Sequence, residues 1–429
     1  MRYIPLDNSI YKRNRLNFMD QMKGNCMAIF NSNDIYPVSA DSELPFAQHR
    51  DMFHLAGIDQ EETILILYPS SKDSKTREIL FIRRSDEHTK IWEGDKLSKD
   101  LASKLSGIES IHFVEDFKNI LHLITSKVDT FYINKNEHYR ANSPVETRED
   151  RFISWLLKKY PAHKVAKSNP ILQRLRSIKH IDEIDQIRKA CQITKKGFNR
   201  VLKFIKPDVW EYQIEAEFIH EFINNSSKGF AYSPIIASGQ DNNVLHYVKN
   251  NKQCKDGELI LMDVGAEYGN YSSDMTRTIP VSGNFSKRQK EIYNAVLRVK
   301  NEATKLLTTG NNWKNFHNQV GEIMTKELLD VNLLDKADIK NQTKKNPAYK
   351  KYFMHGTSHH LGLDTHDYGL LDDLFQENMV FTVEPGIYIP EEGFGVRLED
   401  DVVIQTKGEP INLMEDIPIE TDHIEELMN

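Results

Sequence analysis

The stretch Leu259–Val281, LILMDVGAEYGNYSSDMTRTIPV, holds two apolar segments on either side of a Gly-Asn pair. Such a pair between apolar segments predicts a β-hairpin with a two-residue loop. In that register Asp263 pairs with Thr276, and Asp274 lies on the same face as Thr276. The two aspartates are then diagonal neighbours about 7–8 Å apart between backbones. The hairpin therefore brings together two carboxylates that can share a metal site.

Each of these aspartates also has an ordinary explanation, because Asp263 could end a strand and Asp274 could cap a turn. An aspartate inside an apolar run such as LILMDVGA is nevertheless costly to bury unless it is paired or coordinated. A further acid, Glu384, follows the apolar run VFTV directly before a proline, where it could simply reach solvent. Taken one at a time, these acids are weak indications of a site.

The segment GVRLEDD supplies another acid in a strand-like pattern. Strand alternation places Val396 and Leu398 on one face and Arg397 and Glu399 on the other. For a lone strand this pattern predicts an ordinary solvated face, so Glu399 alone is also a weak candidate.

The stretch Met354–Asp367, MHGTSHHLGLDTHD, packs four histidines and two aspartates into fourteen residues. The spacing of His355 and His359 resembles a helical zinc site. However, Gly356 replaces the catalytic glutamate of that motif and Gly-Thr-Ser is poor helix material, which argues against a zincin. If His359 instead joins the four acids named above, one imidazole and four carboxylates form a sphere suited to two manganese-like ions. Such a pair of ions supports amide hydrolysis.

The length of 429 residues predicts two domains. In the first part, the apolar runs TILILYP, EILFIRRS and TFYIN predict strands, and EDRFISWLLKKYP predicts a helix, which together indicate a mixed α/β domain. The second part has long amphipathic helices and strand-borne acids, which indicates an α+β domain. We expect domains at residues 1–170 and 171–429, with DKADIKNQTKKNPAYKKY as a polar loop of the second.

Composition excludes several classes of partner and location. The net charge of -7 and the absence of a long basic run argue against nucleic acid and anionic membranes as partners. No apolar run approaches the roughly 18–20 residues that a membrane span needs, and the N-terminal sequence has no apolar signal core. Three scattered cysteines favour a reducing compartment, so we expect a cytoplasmic protein.

The motifs LMDVGAEYGNYSSDMTRT, HGTSHHLGLDTHD, VEPGIYIP and VRLEDD occur in the order and spacing of the pita-bread dinuclear metallopeptidases. Within that group, the sequence closely resembles the aminopeptidase P family. The upstream segment LPFAQHRDMFHLAGIDQEETILIL is similar to the N-terminal domain of the same family. The resemblance implies an α+β pita-bread catalytic domain preceded by a smaller, mixed α/β, creatinase-like N-terminal domain.

The resemblance also implies roles for individual residues. Two divalent metal ions, expected to be Mn²⁺, would be bound by Asp263, Asp274, His359, Glu384 and Glu399. Asp274 and Glu399 would bridge the ions, and Glu384 would also act as general base. Residues that match family positions in contact with substrate or the tetrahedral intermediate are His246, His355 and His366. Arg397 would hold nearby carboxylates, whereas His360 and Asp367 would be structural.

The activity implied by the resemblance is release of the N-terminal residue from peptides with proline at the second position. The alternatives are a prolidase restricted to Xaa-Pro dipeptides, creatine hydrolysis on the same fold, and a metal-free peptide-binding scaffold. The complete set of five metal-binding positions argues against the last two. Trp92 matches a family position that can reach a neighbouring subunit, although the basic residues after it differ here, and we expect a homodimer or homotetramer.

Overall fold

The computed structural model describes residues 2–141 and 143–429, which form two compact units. The N-terminal unit is Pro5–Arg176. The C-terminal unit is Ser177–Asn429 together with the residues up to Ile4. No helix within the described ranges is both long enough and apolar enough to cross a membrane.

The elements of the N-terminal unit alternate between helices and short strands. In chain order they are α1 (Asn8–Gln21), β1 (Cys26–Asn31), β2 (Pro37–Ser39), β3 (Ser42–Glu43), α2 (Arg50–Ala56), β4 (Ile64–Leu67), β5 (Glu78–Ile82), α3 (Glu87–Glu93), α4 (Lys99–Ser106), β6 (Ser110–Phe113), α5 (Phe117–Thr125), β7 (Thr130–Ile133), α6 (Arg148–Lys159), β8 (Lys164–Lys167) and α7 (Asn169–Ser177).

Six of these strands form one mixed sheet in the order β6-β5-β4-β1-β7-β8. The predicted strands TILILYP and EILFIRRS contain β4 and β5, which pair antiparallel, while β1 and β7 pair parallel. Because alternate residues of a strand face opposite sides, each face of the sheet has its own core. Phe30 and Leu65 lie in one core, and Ile29 and Ile66 lie in the other. The mixed α/β prediction is confirmed.

The C-terminal unit combines long helices with several small sheets. Its elements are α8 (Ile181–Leu202), α9 (Glu211–Asn224), β9 (Ile235–Ser238), β10 (Leu259–Val264), β11 (Glu267–Tyr268), β12 (Tyr271–Ser272), β13 (Met275–Pro280), α10 (Lys287–Leu306), α11 (Trp313–Asp330), α12 (Lys336–Asn341), β14 (Val380–Val383), β15 (Gly386–Ile389), β16 (Phe394–Arg397), β17 (Asp400–Val403), β18 (Ile411–Asn412) and α13 (Thr421–Met428).

The hairpin predicted from the Gly-Asn pair is confirmed. Asp263 of β10 pairs with Thr276 of β13 in an antiparallel register. The two loop residues, Gly269 and Asn270, have φ angles of 60° and 70°. A two-residue turn of this kind requires positive φ at both positions, which glycine and asparagine adopt with little strain. The loop therefore fixes the register that sets the two aspartates side by side.

Two predictions about the C-terminal unit are wrong. The polar segment predicted as a loop contains α12, whose start is stabilised by a reciprocal capping box between Asp335 and Asp338. The solvated face predicted for GVRLEDD is buried, with Arg397 3% and Glu399 1% exposed. That segment is two strands rather than one, β16 and β17, and both of its faces are covered, since Val396 and Leu398 are also 0% exposed.

A buried acid in the N-terminal unit links its stability to pH. Glu149, near the start of α6, is 7% exposed and accepts a hydrogen bond from Asn31 Nδ2 at 2.8 Å. Burial raises the pKa of Glu149 to about 7. The folded state therefore retains a proton that the unfolded chain releases near its ordinary pKa of about 4.3. The contribution of this proton to the free energy of unfolding is fully present below a pH of about 4.3 and is lost as the pH rises toward 7.

We predict that Glu149→Gln removes this pH dependence. The free energy of unfolding of the variant should exceed that of the wild type by an amount that grows by roughly 2–3 kcal/mol between pH 5 and pH 8. Urea unfolding at both pH values measures the difference. The exposed neighbour Glu146, changed to Gln, is the control and should show no such growth. A constant difference for Glu149→Gln would contradict the prediction.

Candidate functional site

Two strands of one sheet position the two aspartates. Asp263 lies in β10, and Asp274 immediately precedes β13, which pairs with β10. The hydroxyl of Tyr232 is 2.6 Å from Asp263 Oδ1 and 2.5 Å from Asp274 Oδ1. A phenol carries one proton, so it donates to one carboxylate at a time. The two carboxylates therefore lie within reach of a single donor.

Glu399 reaches the aspartates from the turn between β16 and β17. Its backbone N–H donates to the carbonyl of Thr276 at 3.0 Å. The hydroxyl of Thr276 in turn donates to Glu399 Oε2 at 2.6 Å. Main chain and side chain of one threonine thus hold the buried glutamate beside the hairpin.

His359 and Glu384 complete the cluster. The Nδ1–H of His359 donates to the carbonyl of His360 at 2.9 Å. Since a carbonyl can only accept, Nε2 is the nitrogen that carries the lone pair when the ring is neutral, which is the form that binds a metal ion. This Nε2 atom is 3.4 Å from Asp274 Oδ2 and 3.6 Å from Glu384 Oε1. Glu384 is fixed by its backbone N–H, which donates to the carbonyl of Thr357 at 2.8 Å.

The geometry fits a divalent metal ion. Asp274, His359 and Glu399 each offer one ligand atom, and these atoms lie within 4.8 Å of one another in a buried position. The carboxylates of Asp263 and Glu384 border the same space. Hard divalent cations such as Mn²⁺ bind carboxylate oxygens and an imidazole nitrogen as ligands.

The electrostatics of the cluster agree with this fit. Burial, reinforced by Asp263, raises the pKa of Asp274 well above its ordinary value. Burial, reinforced by Asp274 and Glu384, does the same to the pKa of Glu399. Burial also raises the pKa of Glu384 to about 7. A cation among these groups would favour their ionised forms and reverse the shifts.

Arg397 connects the carboxylates to a second group of residues, which consists of Tyr388 and His355 together with Arg397 itself. Its Nη2 donates to Asp263 Oδ2 at 2.7 Å, and its Nη1 donates to the hydroxyl oxygen of Tyr388 at 3.0 Å. His355 Nδ1–H donates to the carbonyl of Gly356 at 2.7 Å, so its Nε2 accepts from Tyr388 at 2.7 Å. Burial and the charge of Arg397 lower the pKa of His355 to about 3. His355 is therefore a neutral acceptor.

The remaining histidines occupy three different environments. His246 is exposed. His366 is also exposed, with its ring centroid 4.3 Å from that of His359 at an interplanar angle of 75°. His360 is buried against aromatic rings.

Several residues at the site were missed by sequence reasoning. Tyr232 has no acid or histidine beside it in the sequence, so nothing local indicates that it contacts the aspartates. Tyr388 lies in the recognised motif PGIYIP but has the composition of an ordinary strand residue. Thr276 could have been found, because the predicted hairpin already placed it opposite Asp263.

The chain matches two family profiles. Residues 185–406 match Metallopeptidase family M24, and residues 11–132 match the aminopeptidase P N-terminal domain. The Xaa-Pro aminopeptidase of Escherichia coli (strain K12) is 32% identical, and the alignment covers 97% of each chain. Human Xaa-Pro aminopeptidase 3 is 32% identical over 92% of this chain and 79% of that protein.

A solved structure shows the same similarity. Zinc-substituted aminopeptidase P of E. coli in complex with product superposes with a TM-score of 0.89 and 30% identity, covering 99% of both chains. The pita-bread fold with its additional N-terminal domain is therefore confirmed. The chain belongs to metallopeptidase family M24 and, by its similarity over nearly the full length, to the Xaa-Pro aminopeptidases within it.

Proposed function

We propose that the chain uses divalent metal ions to hydrolyse the bond between the N-terminal residue of a peptide and a proline at the second position. The observation that supports this most directly is the buried cluster of Asp274, His359 and Glu399, whose ligand atoms lie within 4.8 Å of one another. The names of the full-length relatives supply the class of substrate. Catalysis is assigned to the C-terminal unit, which contains every residue of this cluster.

The proposed metal site holds two ions, with Mn²⁺ as the expected species. The ligands are Asp263, Asp274, His359, Glu384 and Glu399. Asp274 and Glu399, whose ligand atoms lie within 4.8 Å of each other, would be the bridging ligands, as the resemblance to the family implies. Bound ions would supply Lewis-acid chemistry, polarising the scissile carbonyl and lowering the pKa of water.

The protein's own groups prepare proton transfer. Glu384 is held at its backbone by Thr357, and its carboxylate lies 3.6 Å from His359 Nε2, so it is positioned to accept a proton and return it. His359 presents its Nε2 lone pair because its Nδ1–H is bound to a backbone carbonyl. The side chain that moves the proton and the imidazole beside it are therefore each fixed by main-chain contacts.

The second group of residues positions substrate. Tyr388 donates a hydrogen bond of 2.7 Å to His355 and accepts one of 3.0 Å from Arg397. Arg397 also donates to the carboxylate of Asp263, which connects these residues to the proposed metal ligands. The exposed rings of His246 and His366 are accessible to a peptide, and we assign them contacts with the substrate or the tetrahedral intermediate. Neither ring contributes a proposed metal ligand.

A prolidase is the nearest alternative, and the names of the full-length relatives favour the aminopeptidase. The decisive experiment compares hydrolysis of an Xaa-Pro-Yaa tripeptide with that of the matching Xaa-Pro dipeptide by the Mn²⁺-loaded protein. We expect cleavage of the tripeptide with at least tenfold higher kcat/KM. Cleavage restricted to the dipeptide would establish the prolidase, and cleavage of neither would refute the proposal.

We further propose a cytoplasmic homodimer or homotetramer. The three cysteines are free and buried, which suits a reducing compartment. Ile91 and Trp92 of α3 are 78% and 76% exposed, and such neighbouring apolar side chains are typical of association surfaces. Light scattering on the purified chain measures the assembly.

We predict that Asp274→Asn and Glu399→Gln lose both metal and nearly all turnover, because each would contact both ions as a bridging ligand. His360→Gln is the control, since its side chain packs in an aromatic cluster and should leave the metal content intact. Metal analysis after dialysis, with activity restored to chelated wild type by Mn²⁺, makes the measurement. Near-normal turnover in either bridging variant would contradict the assignment.

We predict that His246→Ala and His366→Ala keep their metal but lose rate. Removal of one positioned donor typically costs on the order of 100- to 1,000-fold in kcat, and KM should change much less. Metal stoichiometry beside steady-state kinetics on an Xaa-Pro-Yaa peptide separates the two effects. Loss of metal would make these histidines ligands, and unchanged kinetics would make them ordinary surface residues.

A further inference from the structure

A buried ion pair lies outside the cluster of proposed metal ligands. Lys179 Nζ is 3.0 Å from Asp367 Oδ2, and the two side chains are 2% and 1% exposed. Lys179 lies just before α8, whereas Asp367 ends the histidine-rich stretch. Burying two charges is costly before their attraction is counted, and removing either partner leaves the other charge uncompensated. The pair therefore holds Asp367 firmly.

Asp367 acts on the same carbonyl that orients His359. The backbone N–H of Asp367 donates to the carbonyl of His360 at 2.9 Å. That carbonyl also accepts the Nδ1–H of His359 at 2.9 Å, the bond that directs the Nε2 lone pair toward the carboxylates. A displacement of Asp367 would therefore move the acceptor that fixes the His359 ring.

The loop between the two histidines and Asp367 is built around the ion pair. A Cβ atom on Gly362 would lie 2.1 Å from Asp367 Oδ2 and 2.8 Å from Lys179 Cε, so only glycine leaves room for the pair. The carbonyl of Gly362 accepts the backbone N–H of Ser272 at 2.8 Å. Ser272 lies two residues before Asp274 in the chain. The loop is thus bonded to the segment that carries a second proposed ligand.

The main chain of Lys179 is bonded next to β14, the strand whose backbone also binds His359. Its backbone N–H donates to the carbonyl of Asn378 at 3.0 Å, two residues before β14 begins. Thr382 of β14 donates its backbone N–H to the carbonyl of His359 at 3.0 Å. The main chains of Lys179 and His359 are therefore both bonded to β14 or to the residues just before it.

We propose that Lys179, through its ion pair with Asp367, is a positioning residue for the metal ligand His359. The inference rests on the proposed function, because it takes His359 as a ligand. Lys179 touches neither the proposed metal ions nor the substrate. Its contribution is to fix the loop whose carbonyl sets the orientation of the imidazole.

The test is Mn²⁺ binding to the full-length chain carrying Lys179→Met, measured by titration calorimetry without substrate. Loss of a group that orients a metal ligand typically weakens metal affinity about 10- to 100-fold, and we expect the Mn²⁺ dissociation constant to rise by that factor. kcat on an Xaa-Pro-Yaa peptide at saturating Mn²⁺ should also fall. A folded Lys179→Met variant with a dissociation constant within about twofold of wild type would overturn the proposal.

A matched control separates positioning from general stability. Arg176 and Asp51 form an equally buried ion pair of 2.8 Å in the N-terminal unit, with side chains 2% and 1% exposed. Arg176→Met should lower the melting temperature without changing Mn²⁺ affinity. If it weakens Mn²⁺ binding as much as Lys179→Met does, the effect is a general loss of stability and the proposal is wrong.

A second variant covers the case in which Lys179→Met fails to fold. Asp367→Asn keeps the shape of the side chain and the backbone bonds, and it should raise the Mn²⁺ dissociation constant about tenfold. The double variant should lose no more than the larger single loss, because the two residues act as a pair. Unchanged affinity in Asp367→Asn, or additive losses, would overturn the proposal. A wild type that neither binds Mn²⁺ nor cleaves peptide would instead refute the proposed function.

Discussion

Mutual repulsion among buried carboxylates is the constraint on which this site depends. Asp263, Asp274, Glu384 and Glu399 converge, and burial with neighbouring negative charge raises the pKa values of the last three. The partners that offset this repulsion are the guanidinium of Arg397 and the phenol of Tyr232. In the proposed metal-bound state, divalent cations supply the remaining positive charge. Metal binding and the stability of the C-terminal unit are then coupled, because the folded chain holds these acids together.

The three consecutive acids of the segment LEDD show how the surroundings decide between structural and functional roles. Glu399 faces the carboxylate cluster, whereas Asp400 contacts Arg277 at 2.6 Å and also pairs with Lys300. Although burial opposes it, these two cations lower the pKa of Asp400 well below its usual range. Asp401 instead accepts the backbone N–H of Asp274 at 3.0 Å. Of the three acids, only Glu399 faces the proposed metal ligands, whereas Asp400 is held by two cations and Asp401 by a backbone N–H and the thiol of Cys191.

The sequence predicted the features that depend on local pattern. The Gly-Asn pair determined the hairpin register, and apolar runs located the strands that hold Asp263 and Glu384. The features that were missed depend on contacts between distant segments. Arg397 and Glu399 looked solvent-exposed because alternation in a lone strand says nothing of what covers either face. Lys179 has no local signal at all, since its partner Asp367 lies far from it in the sequence.

The four histidines of the stretch Met354–Asp367 differ in role because their rings contact different groups. In His355 and His359 alike, Nδ1–H donates to the carbonyl of the following residue, so both rings are the same tautomer. The Nε2 of His355 accepts from the hydroxyl of Tyr388, whereas the Nε2 of His359 faces carboxylates. His360 is buried among aromatic rings, while His366 stays exposed beside His359. Because an imidazole offers one free nitrogen once the other is bound, the group facing that nitrogen determines its chemistry.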